Sequence, residues 1–169
     1  GRGAHGRHRG GLRREGRRIG FVPTMGALHE GHLHLVRTAR QHADVVVVSI
    51  FVNPTQFGPH EDYSKYPRVL RADQKKLRTV KADYLFCPSA AAMYPEGYAT
   101  FADVSPGLAN VLCGKFRPGH FRGVVTVVAK LLNIVGACRL YLGAKDYQQT
   151  AVIRRLVSDL NMDVRVRVM

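Results

Sequence analysis

Two histidines three residues apart, His29 and His32, close the segment PTMGALHEGH, which directly follows the apolar run IGFV. If a helix begins there, an i, i+3 pair of imidazoles lies on one face of its first turn. A helix start offers unpaired N–H groups and the positive end of the backbone dipole, which suits phosphate. Gly26 and Gly31 carry no Cβ, so the backbone can come close to a ligand. The chemistry this pattern fits is a polyphosphate cradle in which imidazole N–H donors replace a Walker lysine. The same spacing also fits a metal pair or plain surface histidines, although no cysteine or carboxylate cluster stands nearby to complete a zinc site.

Three further groups of residues have chemical potential. Lys145 and Asp146 follow the run RLYLGA. A lysine there can neutralise charge that develops on a transferring phosphoryl group, or Asp146 can simply cap a helix beside an exposed lysine. Asn53, Gln56 and Gln149 are neutral amides that both donate and accept, as a substrate bearing a carboxylate and hydroxyls requires. RPGHFRG places Arg117, His120 and Arg122 at the entry of an apolar helix. There they face an anion, face another subunit, or form an ordinary surface helix start.

Such residues need elements to position them. The run RIGFV reads as a first strand, and residues 30–42 as a helix with Leu33, Val36, Ala39 and Ala43 on one stripe. DVVVVSIF is a continuous β-branched run of the kind buried on both faces of a parallel sheet. A helix over residues 68–81 and a strand in DYLFCP follow. The stretch 88–107 reads as loop with one short strand. Then come a long helix after RPGH, a strand in RLYL, a helix in KDYQQTAVIRRLVSDL and a closing strand in DVRVRV. Alternating strands and helices predict an α/β fold, a Rossmann-like parallel sheet with helices on both faces. In such sheets ligands bind beyond the carboxyl ends of the strands. The loops PTMGALHEGH, VNPTQFG and GAKDYQQ all leave strands at that edge, which predicts one shared rim.

Composition sets bounds on the rest. A chain of 169 residues with 46% hydrophobic content supports one globular domain. Its longest apolar run, VVVVSIFV, is far too short to span a bilayer, which takes about twenty residues. Cys87, Cys113 and Cys138 are scattered and odd in number, as expected for free thiols in a reducing cytoplasm. The net charge is +14, of which the Gly/Arg-rich residues 1–18 supply +6. Those residues are expected to form a disordered basic arm. The remaining charge is dispersed along helices, compatible with an anionic ligand or a solvated basic surface.

Taken together, these motifs resemble the pantoate–β-alanine ligase family of the HIGH-motif nucleotidylyltransferase superfamily. The resemblance runs through PTMGALHEGH, VVSIFVNPTQFGPHEDYSKYPR, AAMYP, RPGHFRGVVTVVAKLLNIV and KDYQQTAVIRRLVSDLNMDV. The family's HIGH element is His29-Glu30-Gly31-His32 here. The resemblance implies that pantoate attacks the α-phosphate of ATP with Mg²⁺ assistance, giving pantoyl adenylate and pyrophosphate. β-Alanine then takes the acyl group, giving pantothenate and AMP. It assigns catalysis to His29, His32 and Lys145, and ATP contacts to Met25, His29, Gly31, His32, Gly143, Lys145 and Asp146. Pro23, Thr24, Met25, Asn53, Gln56 and Gln149 would surround pantoate, and Asp73 would act on the metal through water. It further implies a cytoplasmic homodimer whose partners are these small molecules, with no nucleic acid and no membrane.

Two alternatives carry less. Another adenylyltransferase of the superfamily, acting on a phosphorylated acceptor, would favour Arg or Lys where VNPTQF has amides. A basic nucleic-acid-binding module would show a recognition helix or an aromatic-interleaved basic strand, and neither stands out. The chain also departs from the family pattern. Ala144 stands where Glu is common, as does Cys113. The sequence stops at Met169, before the family's Ser-Ser-Arg-Asn loop and smaller C-terminal domain. The expectation is therefore a nucleotide-binding catalytic domain over residues 19–169, as a truncated form with impaired activity.

Overall fold

The computed structural model describes residues 16–58, 61–136 and 138–169; most of the basic arm lies outside the described residues. Strands are β1 (Ile19–Thr24), β2 (Val45–Ile50), β3 (Tyr84–Phe86), β4 (Cys138–Leu142) and β5 (Val164–Val168). Helices are α1 (Glu30–His42), α2 (Leu70–Thr79), α3 (Ala90–Met93), α4 (Pro106–Ala109), α5 (His120–Val135) and α6 (Tyr147–Asp159). Short 3-10 turns cover Pro54–Gln56 and Leu112–Phe116.

The strands form a single parallel sheet in the order β3-β2-β1-β4-β5. Side chains alternate between its faces, so the unbroken valine run of β2 feeds two cores at once. Val45 and Val47 join Phe21, Leu140, Leu142 and residues of α5 and α6. Val46 and Val48 join Val22, Tyr141 and residues of α1 and α2. Phe21 and Val22 lose all contact with solvent, each stabilising the fold by roughly 1.5–3 kcal/mol relative to exposure. The fold is thus the α/β sheet with helices on both faces that the sequence predicts.

Some boundaries differ from expectation. β1 continues to Thr24, because Pro23 and Thr24 still pair with Ser49 and Ile50 and the Thr24 hydroxyl donates to the Ser49 carbonyl at 2.7 Å. The helix expected over 68–81 is shorter at both ends. Arg68 bonds back to the carbonyls of Tyr63, Ser64 and Tyr66, holding the chain out of the helix. Residues 88–107 contain no strand among the described residues; α3 and the start of α4 stand there instead. Ser89 caps α3 through the Ala92 N–H, and Pro106 sits in the first turn of α4, both ordinary helix-start devices.

β1 is the centre of the sheet, with β2 on one side and β4 on the other. The chain leaves β1 towards β2 and returns later to β4, so the crevice outside their carboxyl ends is the switch point where α/β sheets bind ligands. No described helix is long and apolar enough to cross a membrane.

Candidate active site

His29 is the N-cap of α1, with extended backbone angles. Its Nδ1 accepts the Gly31 N–H at 3.1 Å, while the His29 N–H donates to Nδ1 of His32 at 3.4 Å. This is a capping box built from two imidazoles instead of a hydroxyl and a carboxamide. The rings lie 4.1 Å apart, centre to centre. Because each Nδ1 accepts, each neutral ring must carry its proton on Nε2. Burial, followed by the neighbouring His29, pushes the His32 pKa down, favouring a neutral N–H donor. A Cβ on Gly31 would lie 2.9 Å from the His29 ring and would displace that imidazole.

The loop before these histidines is held from α2. Gly26 and Ala27 both have positive φ, 88° and 50°, the latter unusual for a residue with a side chain. Asp73, only 1% exposed, accepts the Ala27 N–H at 2.9 Å and the Leu28 N–H at 2.8 Å. Lys76 donates its ammonium to the Leu28 carbonyl. Thr24 accepts the Gly26 N–H at 3.2 Å. Nothing in the sequence spacing singles out Lys76; only the fold brings it to this loop.

The amides divide into two kinds. Asn53 is buried and fully engaged. It donates to Gln56 Oε1 at 3.2 Å and to the Gly123 carbonyl at 3.1 Å, and it accepts from the Thr55 and Tyr94 hydroxyls. It therefore shapes the loop and orients Gln56. The Gln56 amide nitrogen faces the Met25 sulfur at 3.1 Å. The Gln56 backbone carbonyl is held at 2.9 Å by Nδ1 of His120, whose Nε2 meets Arg117 at 3.1 Å. Arg117 pairs with Glu61 at 2.8 Å, and Glu61 accepts the Gly58 N–H. His120 thus turns inward, and Arg117 is spent on a carboxylate, rather than both facing an anion at the surface. Burial of His120 pushes its pKa down. Arg122 alone of the three stays exposed, stacked on Phe101 at 4.4 Å.

Across the crevice, Gly143, Ala144, Lys145 and Asp146 join β4 to α6. Asp146 occupies the N-cap position without a side-chain capping bond. Its charge acts on both His32 and His120, raising the pKa of each against the opposing effects. Lys145 is exposed. Gln148, which sequence reasoning passed over, is buried and ties α6 to Leu108, Val111, Cys113 and Gly114. Its neighbour Gln149 has no amide partner among the described residues.

Pro23 and Thr24 therefore end β1, Met25, His29, Gly31 and His32 follow it, Asn53 and Gln56 follow β2, and Gly143, Lys145, Asp146 and Gln149 follow β4, all at one edge. Among the described residues no three His, Cys, Asp or Glu groups converge as a metal centre. Asp73 accepts one backbone N–H on each of its two oxygens.

The two imidazoles at the start of α1 and the exposed Lys145 thus lie at the same sheet edge as the amides Asn53 and Gln56. The sequence model of a family described as pantoate-beta-alanine ligase matches residues 4–169. Pantothenate synthetase of Thermodesulfovibrio yellowstonii is 59% identical over 92% of this chain and 55% of its own length. That of Moorella thermoacetica is 58% identical over 91% and 54%. The crystal structure of pantothenate synthetase from Thermus thermophilus superposes with a TM-score of 0.92 at 50% identity, covering 98% of this chain and 59% of that one. The Francisella tularensis pantoate-beta-alanine ligase, solved in complex with beta-gamma ATP and beta-alanine, gives 0.89 at 46% identity, covering 96% and 64%. The chain spans about half the length of the curated relatives it matches.

Proposed function

Because the chain belongs to the pantoate-beta-alanine ligase family, we propose that its crevice binds ATP and pantoate and forms pantoyl adenylate. A pantoate carboxylate oxygen attacks the α-phosphorus, the bond to the bridging oxygen breaks, and pyrophosphate leaves. The amine of β-alanine then attacks the acyl carbon, loses a proton, and expels AMP. Such chemistry needs positioning and charge neutralisation more than a protein nucleophile.

The observation that carries this reading is the reciprocal imidazole cap, which aims two Nε2–H donors outward at a sheet switch point. His29 and His32 contact the phosphates with Met25 and Gly31 beside them, and Lys145 meets them from the β4 side. Gly143 and Asp146 lie against the nucleoside, Asp146 near the ribose. Gln56 and Gln149 hold the hydroxyl and carboxylate of pantoate in a pocket shaped by Pro23, Thr24 and Met25, with Asn53 orienting Gln56. Mg²⁺ supplies charge neutralisation when bound to the ATP phosphates, and Asp73 is the residue that would reach it, through water. The family resemblance extends the reading to a cytoplasmic homodimer.

Exchange of labelled pyrophosphate into ATP tests this, with pantoate, phosphopantetheine or a mononucleotide as the acceptor. Slow exchange that requires pantoate, lowered about a hundredfold or more by His29→Ala, is expected. Exchange driven by a phosphorylated acceptor and not by pantoate would contradict it.

A further inference from the structure

We propose that Lys76 and Asp73, on adjacent turns of α2, are positioning residues that aim the two imidazoles by clamping the Leu28 peptide groups; this rests on the cradle reading above. Asp73 holds the N–H groups of Ala27 and Leu28 at 2.9 and 2.8 Å, and Lys76 holds the Leu28 carbonyl. The Leu28 side chain is buried as a third anchor. A trans peptide is planar, so its C=O and the following N–H point in opposite directions. Fixing the Leu28 oxygen therefore fixes the His29 N–H, and that N–H is the donor to His32 Nδ1.

The consequence reaches the far side of the ring. A donor at Nδ1 obliges a neutral imidazole to keep its proton on Nε2 and holds the ring plane. At 3.4 Å the bond is long, and bonds near that limit weaken steeply when misaligned. Ala27, in its disfavoured positive-φ conformation, relaxes unless its N–H and that of Leu28 stay engaged. Neither α2 residue need touch a ligand to govern how His32 presents its donor.

Nitrogen-15 spectra of the imidazoles, recorded on the full chain at about pH 8, read the tautomers directly, alongside ATP titrations. Lys76→Met should leave the melting temperature nearly unchanged, move His32 towards mixed tautomers and weaken ATP binding about tenfold. Lys76→Arg, which still donates to the carbonyl, should restore both. If Lys76→Met fails to fold, Lys76→Gln, a neutral donor, takes its place with a smaller shift in the same direction. An unchanged His32 tautomer in the folded variant would overturn the clamp. So would weakened ATP binding without a tautomer shift, since the ammonium would then be meeting phosphate itself. Absence of ATP binding to the unaltered chain would remove the cradle reading, while the tautomer comparison would still judge the clamp.

Discussion

A histidine that engages a helix start through Nδ1 has Nε2 left over, as His29 and His32 do here. The two roles can be separated. Asparagine is a strong N-cap, so His29→Asn should keep stability within about 0.5 kcal/mol, whereas His29→Ala should lose about 1 kcal/mol. Both should lose ATP binding; urea unfolding alongside calorimetric titration checks this. His120 gives a pH signature. Burial lowers its folded pKa below the ordinary 6.5, so below about pH 6.5 the unfolded chain takes up a proton that the folded chain refuses. Its contribution is therefore complete above that pH and is lost as pH falls, with His32 acting in the same sense. Stability should drop as pH falls below about 6.5, and His120→Asn should flatten that slope. The spacing of His29 and His32 is visible in the sequence because it is local. The inward turn of His120 is not, because Gln56 and Glu61, which decide it, come from a distant loop.

At the level of elements, the closest approach in the site is that of α5 to the turn Pro54–Gln56. A Cβ on Gly123 would lie 2.3 Å from the Thr55 carbonyl oxygen, and the Gly123 carbonyl accepts from Asn53 at 3.1 Å. Gly123→Ala must push the turn away, at a cost of about 1–3 kcal/mol or more. It should also weaken pantoate binding by displacing Gln56; thermal melts and a pantoate titration measure the two effects. The sequence carries a hint of this contact, since glycine inside an apolar helix costs about 1 kcal/mol relative to alanine. The long helices are legible because their apolar stripes repeat with the helix period. The stretch 88–107 is not, because elements as short as α3 are set by a single cap such as Ser89.

For the whole molecule, strand–helix alternation announces a parallel sheet but not its strand order. It is the order β3-β2-β1-β4-β5 that sets the loops after β1 and β4 side by side. The three rim loops could be picked out as polar interruptions after apolar strands. The α2 residues that brace the loop after β1 could not, because helix surfaces rich in Lys and Asp look alike whether or not something docks there. On the proposed reading, His29 and His32 face Lys145 across this crevice and together clasp a polyphosphate. An ATP titration that follows the imidazole resonances, in the unaltered chain and in Lys145→Met, tests it most directly. Both Nε2–H signals should shift in step with saturation, and Lys145→Met should weaken the affinity about tenfold or more. ATP that binds without moving either imidazole, or that binds Lys145→Met undiminished, would contradict it.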